Sequence, residues 1–238
     1  MNEKKLREKF IKMAKEKIKE KKKRDDLYLI QLSRSLEDLI KVYNRLEERL
    51  SEFGYIYNIN ARGKKLIEEI KNLKESNEWI NEKEKIMVIK KSANLLEEID
   101  VQIKETEKLI EKYAKQIMPN AYHLIGGKLC AKYLSLAGSL EKLSIMPAST
   151  IQVLGAEKAL FKHLTIKSRP PKHGILILSH YINSLPKNKR GKMARTLAAK
   201  LAIAFKADLN NVNIADKLKE AVEKRFDELK KESKKMLK

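Results

Sequence analysis

The sequence contains few of the residues that break helices, cross-link a chain or fill an aromatic core. Its 238 residues include eight glycines, five prolines and one cysteine, and aromatic residues make up only 6%. A single cysteine excludes an intramolecular disulfide and fits a reducing, cytoplasmic location. No run approaches the roughly 18 apolar residues of a membrane span, and the first residues lack an apolar signal segment. We therefore expect neither secretion nor membrane insertion.

Charge is what the sequence has in abundance. Charged residues make up 36% of the chain, and the net charge is +21. Few breakers combined with many Lys, Glu, Leu and Ile favour long helices. A large positive charge predicts a polyanionic partner, most commonly nucleic acid. Residues 119–210 contain fifteen Lys and Arg against three acidic residues, whereas residues 1–118 contain twenty-nine basic and twenty-three acidic residues. We therefore expect the second half to bind the nucleic acid.

Two series of apolar residues at alternating spacings of three and four predict two long helices. The first series is Leu29, Leu32, Leu36, Leu39, Tyr43, Leu46, Leu50 and Phe53. The second is Leu96, Ile99, Ile103, Thr106, Ile110, Tyr113 and Ile117. Such spacing is typical of a coiled-coil seam. A breaker region over 54–60 separates them, so we expect an antiparallel pair. Leu66, Ile70 and Leu73 predict a short helix in between, and Trp79 begins the return.

Pro119 predicts the end of the second long helix, because proline cannot continue the hydrogen-bond ladder. Small residues then become frequent, which allows helices to pack closely. The expected fold is all-α, with a long antiparallel coiled coil followed by a compact helical domain. We predict a basic helical lead over residues 1–24, the coiled coil over 25–118, the compact domain over 119–216, and a basic C-terminal helix or tail over 217–238.

A helical projection of residues 188–206 separates a basic face from an apolar one. The basic arc contains Lys189, Lys192, Arg195, Lys200 and Lys206. The opposite arc contains Met193, Ala194, Leu197, Ala198, Leu201, Ala204 and Phe205. Lys and Arg at this spacing can contact successive phosphates. A solvated helix face is the alternative, but no acidic residue lies between Glu157 and Asp208 to neutralise the row.

Two shorter segments are further candidates. Gly155-Ala156-Glu157-Lys158 predicts a turn into a helix whose first amides could meet an anion, although the residues alone favour an ordinary helix start with Phe161 in the core. Residues 169–174 form a stiff basic loop, in which Lys172 could pair with phosphate and His173 could contact a base. A purely structural loop is the alternative there.

Nothing in the sequence predicts catalysis. The histidines at 123, 163 and 180 have no metal-ligand spacing, and neither an HExxH nor a CxxC motif occurs. Cys130 is expected to be a small buried residue. We expect no enzyme activity, no cofactor and no metal.

Several motifs, in the order in which they occur along the chain, resemble the NOP domain of box C/D ribonucleoprotein scaffolds. Their residues are most similar to those of the archaeal members. They are the run from Met146 to Phe161, Pro170-Pro171-Lys172-His173-Gly174, Arg190-Gly191-Lys192 with Arg195, and Ala199-Lys200-Leu201. Residues 24–46 look like the opening of the family's coiled coil. The resemblance implies that Lys158 and Arg190 contact RNA together with Lys172, His173, Lys189, Lys192, Arg195 and Lys200. It also implies that Gly155, Ala156 and Glu157 lie where RNA and protein meet.

The resemblance implies a scaffold that recognises a kink-turn RNA together with its small bound protein, in a particle that guides RNA 2′-O-methylation. It further implies self-association through the coiled coil. Family scaffolds dock a methyltransferase through a domain before the coiled coil, for which Met1 to about Lys23 is too short, so we do not expect that docking here. The alternatives are a spliceosomal relative, a coiled-coil adaptor that does not bind RNA specifically, and a peripheral membrane protein.

Overall fold

The structure, a computed structural model, describes residues 25–74 and 82–235, together with five helical residues between Arg7 and Lys15. Within 25–74 and 82–235 it contains eleven α-helices, one 3-10 turn and no strand, which confirms the all-α prediction. Most of the predicted lead over 1–24, and Trp79, lie outside the described residues. The chain divides into two compact units, which we call the hairpin unit (34–109) and the helical lobe (1–33 with 110–238).

The hairpin unit is built from parts of two long helices and one short helix. These are α1 (Asp25–Ile56), α2 (Gly63–Lys71) and α3 (Glu82–Ile117). Leu50 of α1 clusters with Ala93 and Leu96 of α3, while Tyr43 lies within the electrostatic reach of Asp100. Residue numbers therefore fall along one helix as they rise along the other, so the two run antiparallel within this unit. The coiled-coil packing itself stays a prediction.

The predicted apolar series mark the covered sides of both helices, with one exception. Every residue of the two series is buried or half-buried except Phe53, which is 44% exposed. The buried residue that follows Leu50 in the series is Gly54 rather than Phe53, because α2 packs against α1 at Gly54. A Cβ on Gly54 would lie 3.1 Å from Cδ1 of Leu66. Phe53 is thereby turned to the side, and its place in the predicted series is wrong.

The break between α1 and α2 also lies later than expected. Helix α1 continues through Gly54 to Ile56, and the chain turns at Asn58, whose φ is +56°. The amide of Gly63 then donates to Oε1 of Glu47 at 2.7 Å, which fixes the start of α2 against α1. The predicted short helix at this position is confirmed.

The helical lobe continues after α3 ends at Ile117, two residues before Pro119, as predicted. Its elements follow in chain order as α4 (Pro119–Ile125), α5 (Gly127–Ala137), α6 (Leu140–Ile145), α7 (Ala148–Val153), α8 (Glu157–Ile166), a 3-10 turn (Gly174–Leu178), α9 (His180–Asn183), α10 (Lys187–Leu209) and α11 (Ala215–Lys235).

Helix α10 is the centre of the lobe, since α4, α6, α7, α9, α11 and the 3-10 turn all pack on it. All seven residues predicted for its apolar face are buried. Each Leu or Phe removed from water there stabilises the fold by about 1.5–3 kcal/mol. Phe205 packs against Tyr133 with ring centroids 5.8 Å apart, and the hydroxyl of Tyr133 donates to the carbonyl of Ile151 at 2.9 Å. Helix α7 is thereby held against the core.

A buried hydrogen-bond node closes the lobe at the end of α10. Asp208 accepts from the amides of Asn120 and Ala121 at 2.8 and 3.1 Å, so its carboxylate satisfies the N-terminus of α4. The side chain of Asn120 donates to the carbonyl of Val212 and accepts from the amide of Ile214, at 2.8 and 2.7 Å. Burial raises the pKa of Asp208 above its usual value, and the three hydrogen bonds from Asn120 and Ala121 oppose that rise.

The last helix is a packed element rather than a tail. Leu218, Val222 and Leu229 of α11 are buried, and the helix packs on α10 and α4. Residues 217–235 of the segment predicted as a basic C-terminal helix or tail are thus helical.

Candidate nucleic-acid interface

A basic groove lies where three segments of the lobe meet. It has a volume of about 340 Å³. Helix α7 contributes one polar residue, the loop after α8 contributes two prolines and a lysine, and α10 contributes its first turns. The lining residues are Gln152, Pro170, Pro171, Lys172, Lys187, Asn188, Gly191, Lys192 and Arg195. Four of these nine residues are Lys or Arg and none is acidic, so the groove favours an anion.

The loop that carries Lys172 is fixed from both of its neighbours. Nε2 of Gln152 donates to the carbonyl of Lys172 at 2.7 Å, and the amide of Ile175 donates to the carbonyl of Leu154 at 2.9 Å. Gly174 has a φ of +36°, and a Cβ there would lie 2.3 Å from the carbonyl oxygen of Leu154. A loop held in this way loses little conformational entropy when a ligand binds.

The basic face of α10 extends the groove along the helix. Lys192, Arg195 and Lys206 are exposed, and Lys200 is half-buried. Lys192 and Lys206 are fourteen residues apart, which corresponds to about 21 Å along a helix. The row is therefore long enough to follow several phosphates of one strand.

Lys189 does not belong to this exposed row, and its predicted place there is wrong. Its side chain is 8% exposed, and Nζ forms an ion pair with the carboxylate of Glu232 on α11. A second strip of α10, at the N-terminal end of the helix, is covered by α11, so the helix has more than the one covered side that its sequence predicts. An acidic residue 43 positions away thus neutralises one lysine of the predicted row.

Arg190 is half-buried, and its guanidinium has backbone partners. Nε donates to the carbonyl of Leu185 at 2.8 Å, and one terminal nitrogen donates to the carbonyl of Asn183 at 3.1 Å. These bonds tie the end of α9 to the first turn of α10. Contact between Arg190 and RNA stays a prediction, but the structure gives this side chain a positioning task that the sequence pattern did not reveal.

The turn at Gly155 requires glycine and shapes the start of α8. Gly155 has a φ of +80°, and a Cβ there would lie 2.2 Å from Cγ2 of Ile175. Its amide donates to Oε1 of Glu157 at 2.7 Å. The amide of Ala156 donates to the carbonyl of Val153 at 3.0 Å. Both turn amides are therefore satisfied by the chain itself, and anion binding by the first amides of α8 stays a prediction. Ala156 is half-buried, whereas Glu157 and Lys158 are exposed beside it.

Helix α8 presents an uncovered apolar surface, which we call the α8 apolar face. No residue of the helix is buried. Phe161 and Leu164, three positions apart on one side of the helix, are 69% and 72% exposed, so the prediction that Phe161 belongs to the core is wrong. Large apolar side chains are usually assigned to the interior from sequence alone, which is why this surface was missed. A cluster of exposed large apolar residues is typical of a protein-binding site.

His173 lies at the junction of the loop and the 3-10 turn. It is half-buried, and burial lowers its pKa, an effect strengthened by the positive charges of Arg190 and Lys172. The lowered pKa disfavours the charged imidazolium in the free protein. A phosphate placed nearby would raise the pKa again and favour proton uptake.

The described ranges contain no group of potential metal ligands, and their single thiol is buried. Among the residues of 25–74 and 82–235, no three His, Cys, Asp or Glu side chains are grouped to hold a metal ion. Cys130 is fully buried, as predicted, and burial raises the pKa of its thiol. No helix in these ranges has the length and apolar character needed to cross a bilayer.

Comparison with known proteins identifies the relatives of this chain. Residues 8–228 match the Nop family model, described as "snoRNA binding domain, fibrillarin". An uncharacterized NOP5 family protein of Methanocaldococcus jannaschii is 37% identical over 251 residues, covering 91% of this chain and 60% of that protein. Nucleolar protein 58 of Candida glabrata is 46% identical over 94 residues, covering 40% of this chain and 18% of that protein.

A solved structure shares the fold as well. The crystal structure of a fibrillarin/Nop5p complex matches 94% of this chain and 77% of the solved chain, with 34% identity and a TM-score of 0.62. The present chain thus spans about 60% of the length of the archaeal relative and a much smaller share of the fungal one.

Proposed function

The chain belongs to the Nop family, and from this premise we propose that it is an RNA- and protein-binding scaffold of a box C/D-type ribonucleoprotein. In this proposal it recognises a kink-turn RNA together with the small protein bound to that RNA, and the assembled particle guides RNA 2′-O-methylation. The chain itself binds and positions its partners and does not carry out the chemistry. One observation carries the proposal, namely that helix α8, with its exposed apolar side chains, leads within four residues into the loop that lines the basic groove.

The basic groove provides the RNA side of the proposal. Lys172, Lys192 and Arg195 converge there from two separate segments, so they can contact phosphates from different directions. Contacts of this kind follow the backbone and carry no sequence information by themselves. The groove therefore explains affinity for RNA, while selection of one RNA needs a second contact.

The α8 apolar face provides that second contact in our proposal. The chain passes from Ile166 at the end of α8 directly into the loop that carries Pro170 and Lys172. A protein that covers Phe161 and Leu164 would thus stand beside RNA in the groove. Neither partner would need to bind tightly alone, because each would raise the effective concentration of the other.

Titration of the purified chain with labelled RNA tests this proposal. We expect a kink-turn RNA that carries its small protein to bind much more tightly than the same RNA alone, or than an RNA of equal length without the kink-turn. Equal affinity for all three would contradict the proposal. Self-association without any RNA binding would instead support a structural adaptor.

Self-association through the hairpin unit belongs to the same proposal. Several apolar side chains of this unit remain exposed, among them Ile40, Val42, Leu95 and Leu109 at 38%, 48%, 48% and 38%. A second copy could cover them. Sedimentation at increasing concentration should show a dimer, and a strictly monomeric chain at all concentrations would remove this part of the proposal.

A further inference from the structure

Glu232 places a carboxylate against the basic helix of the lobe. On α11 the residues Leu218, Val222 and Leu229 are buried, and the helix packs on α10 and α4. Glu232 is three positions after Leu229, so it continues the same side of the helix. Its carboxylate accepts from Nζ of Lys189, whose side chain is almost completely covered.

The influence of this carboxylate also reaches the groove. The hydrogen bond from Lys189 lowers the pKa of Glu232 most, followed by the charge of Lys189, and the charges of Lys192 and Arg225 lower it further. Electrostatic interaction is mutual, so the charge of Glu232 reduces the positive potential at Lys192. Residues 158–207 contain no acid of their own. Helix α11 therefore supplies a negative charge that the N-terminal part of the basic helix lacks.

We infer that Glu232 is a specificity-determining residue, which holds Lys189 away from RNA and weakens the attraction of the groove for RNA that lacks the small kink-turn protein. This inference rests on the proposed function. RNA without the small protein has no fixed register on the lobe and can use any accessible lysine. RNA placed by a protein on the α8 apolar face is held over the groove, and Lys189 lies on the side of α10 that faces α11 instead.

Glu232→Gln tests the inference, because glutamine retains a hydrogen-bond acceptor and removes the charge. Freeing one lysine should make the salt slope for protein-free RNA steeper by roughly 0.7 and its affinity about fourfold higher at 0.15 M salt. Affinity for the RNA that carries the small protein should rise less. The ratio between the two affinities, measured by fluorescence anisotropy, should therefore fall.

Glu228→Gln is a matched control on the same helix. Glu228 is 46% exposed against 45% for Glu232, and it pairs with Arg225 at 2.7 Å rather than with a residue of α10. It changes the net charge by the same amount, and we expect both affinities to stay at the parent values. If Glu228→Gln tightened protein-free RNA binding as much as Glu232→Gln, the inference would fail, since overall charge would explain the effect.

Other outcomes also decide the question. Equal tightening toward both RNAs, or no tightening at all, would overturn the inference. Loss of binding to both RNAs together with a lower melting temperature would make Glu232 a structural anchor only. If Glu232→Gln does not fold, Lys189→Gln can be tested in its place. In that variant Glu232 has lost its ion-pair partner, so its negative charge reduces the positive potential at Lys192 more strongly. Protein-free RNA should bind that variant more weakly, and unchanged binding would contradict the inference.

The parent chain, measured in the same titration, separates this inference from the proposed function. If the parent does not distinguish the two RNAs, the proposed function fails. If the parent distinguishes them and Glu232→Gln does so equally well, only the role of Glu232 is refuted.

Discussion

Neutralising the two exposed cations of the groove should weaken RNA binding by a calculable amount. Lys192 and Arg195 both line the groove and are both exposed. If each contacts one phosphate, the double substitution Lys192→Gln/Arg195→Gln should reduce the salt slope by roughly 1.4 and the affinity about fourteenfold at 0.15 M salt. The charge reversal Lys192→Glu/Arg195→Glu should cost more, because repulsion adds about 1 kcal/mol for each unit charge 4 Å away in water.

The assay is a titration of the RNA–small protein complex at four salt concentrations from 0.05 to 0.4 M. Over this range the Debye length decreases from above about 10 Å to below it. Lys217→Gln/Lys219→Gln is the matched control. These lysines lie in the first two turns of α11, more than ten residues from Glu232, and so about 20 Å from the end of the helix beside Lys189. They should leave the slope unchanged. A slope for the groove variant equal to that of the parent would refute the assignment of α10 to the RNA interface.

Three further outcomes are expected. Phe161→Ser/Leu164→Ser should abolish the gain in RNA affinity that the small protein provides without lowering the melting temperature, because both side chains are exposed; a normal gain would exclude the α8 apolar face. Gly155→Ala should lower the free energy of unfolding by about 1–3 kcal/mol, since φ is +80° and its Cβ would overlap Ile175. Gly191→Ala is the control in that denaturant titration, because its Cβ would meet Lys172 only at 3.8 Å, and an equal loss there would contradict the steric argument. Lowering the pH through 6.5, the ordinary pKa of histidine, should strengthen RNA binding. The pKa of His173 is lowered in the free protein and a nearby phosphate raises it, so binding takes up a proton. His173→Gln should flatten the dependence of affinity on pH, and an unaltered dependence would remove the histidine from the interface.

The sign for folding is opposite to that for binding at His173. A lowered pKa in the folded state means that the unfolded chain binds the proton more readily. Its contribution to stability is therefore present above pH 6.5, the ordinary pKa of a histidine in an unfolded chain, and is lost as the pH falls. Tighter RNA binding at low pH would thus occur in a slightly less stable protein, which separates the two effects experimentally.

Local periodicity predicted the parts of the fold that depend on neighbouring residues. The apolar face of α10 and the end of α3 before Pro119 followed from helical spacing and from the missing amide of proline. The covered positions of α1 followed as far as Leu50. The prediction was wrong at Phe53. Leu66 of α2 packs so close to Gly54 that the residue there must be small, and Phe53 lies outside this contact.

The sequence predicted those residues of the candidate site whose exposure depends on one helix alone. Lys192 and Arg195 were assigned correctly to an open basic face, but the pairing of Lys189 with Glu232 joins residues 43 positions apart and has no local signature. The α8 apolar face was missed for a related reason. An apolar segment does not reveal from its sequence whether another element packs on it. No described element covers Phe161.

The node at Asn120 and Asp208 sets the smallest fragment of this lobe that can be expected to fold. Its hydrogen bonds join residues separated by 87 to 94 positions, so both ends of the segment 119–214 are needed before either is satisfied. A fragment that stops within α10 would leave the first amides of α4 without their acceptor and the side chain of Asn120 without partners. Truncation series intended to isolate the RNA-binding part should therefore keep the chain intact through Ile214, however far that residue lies from the groove.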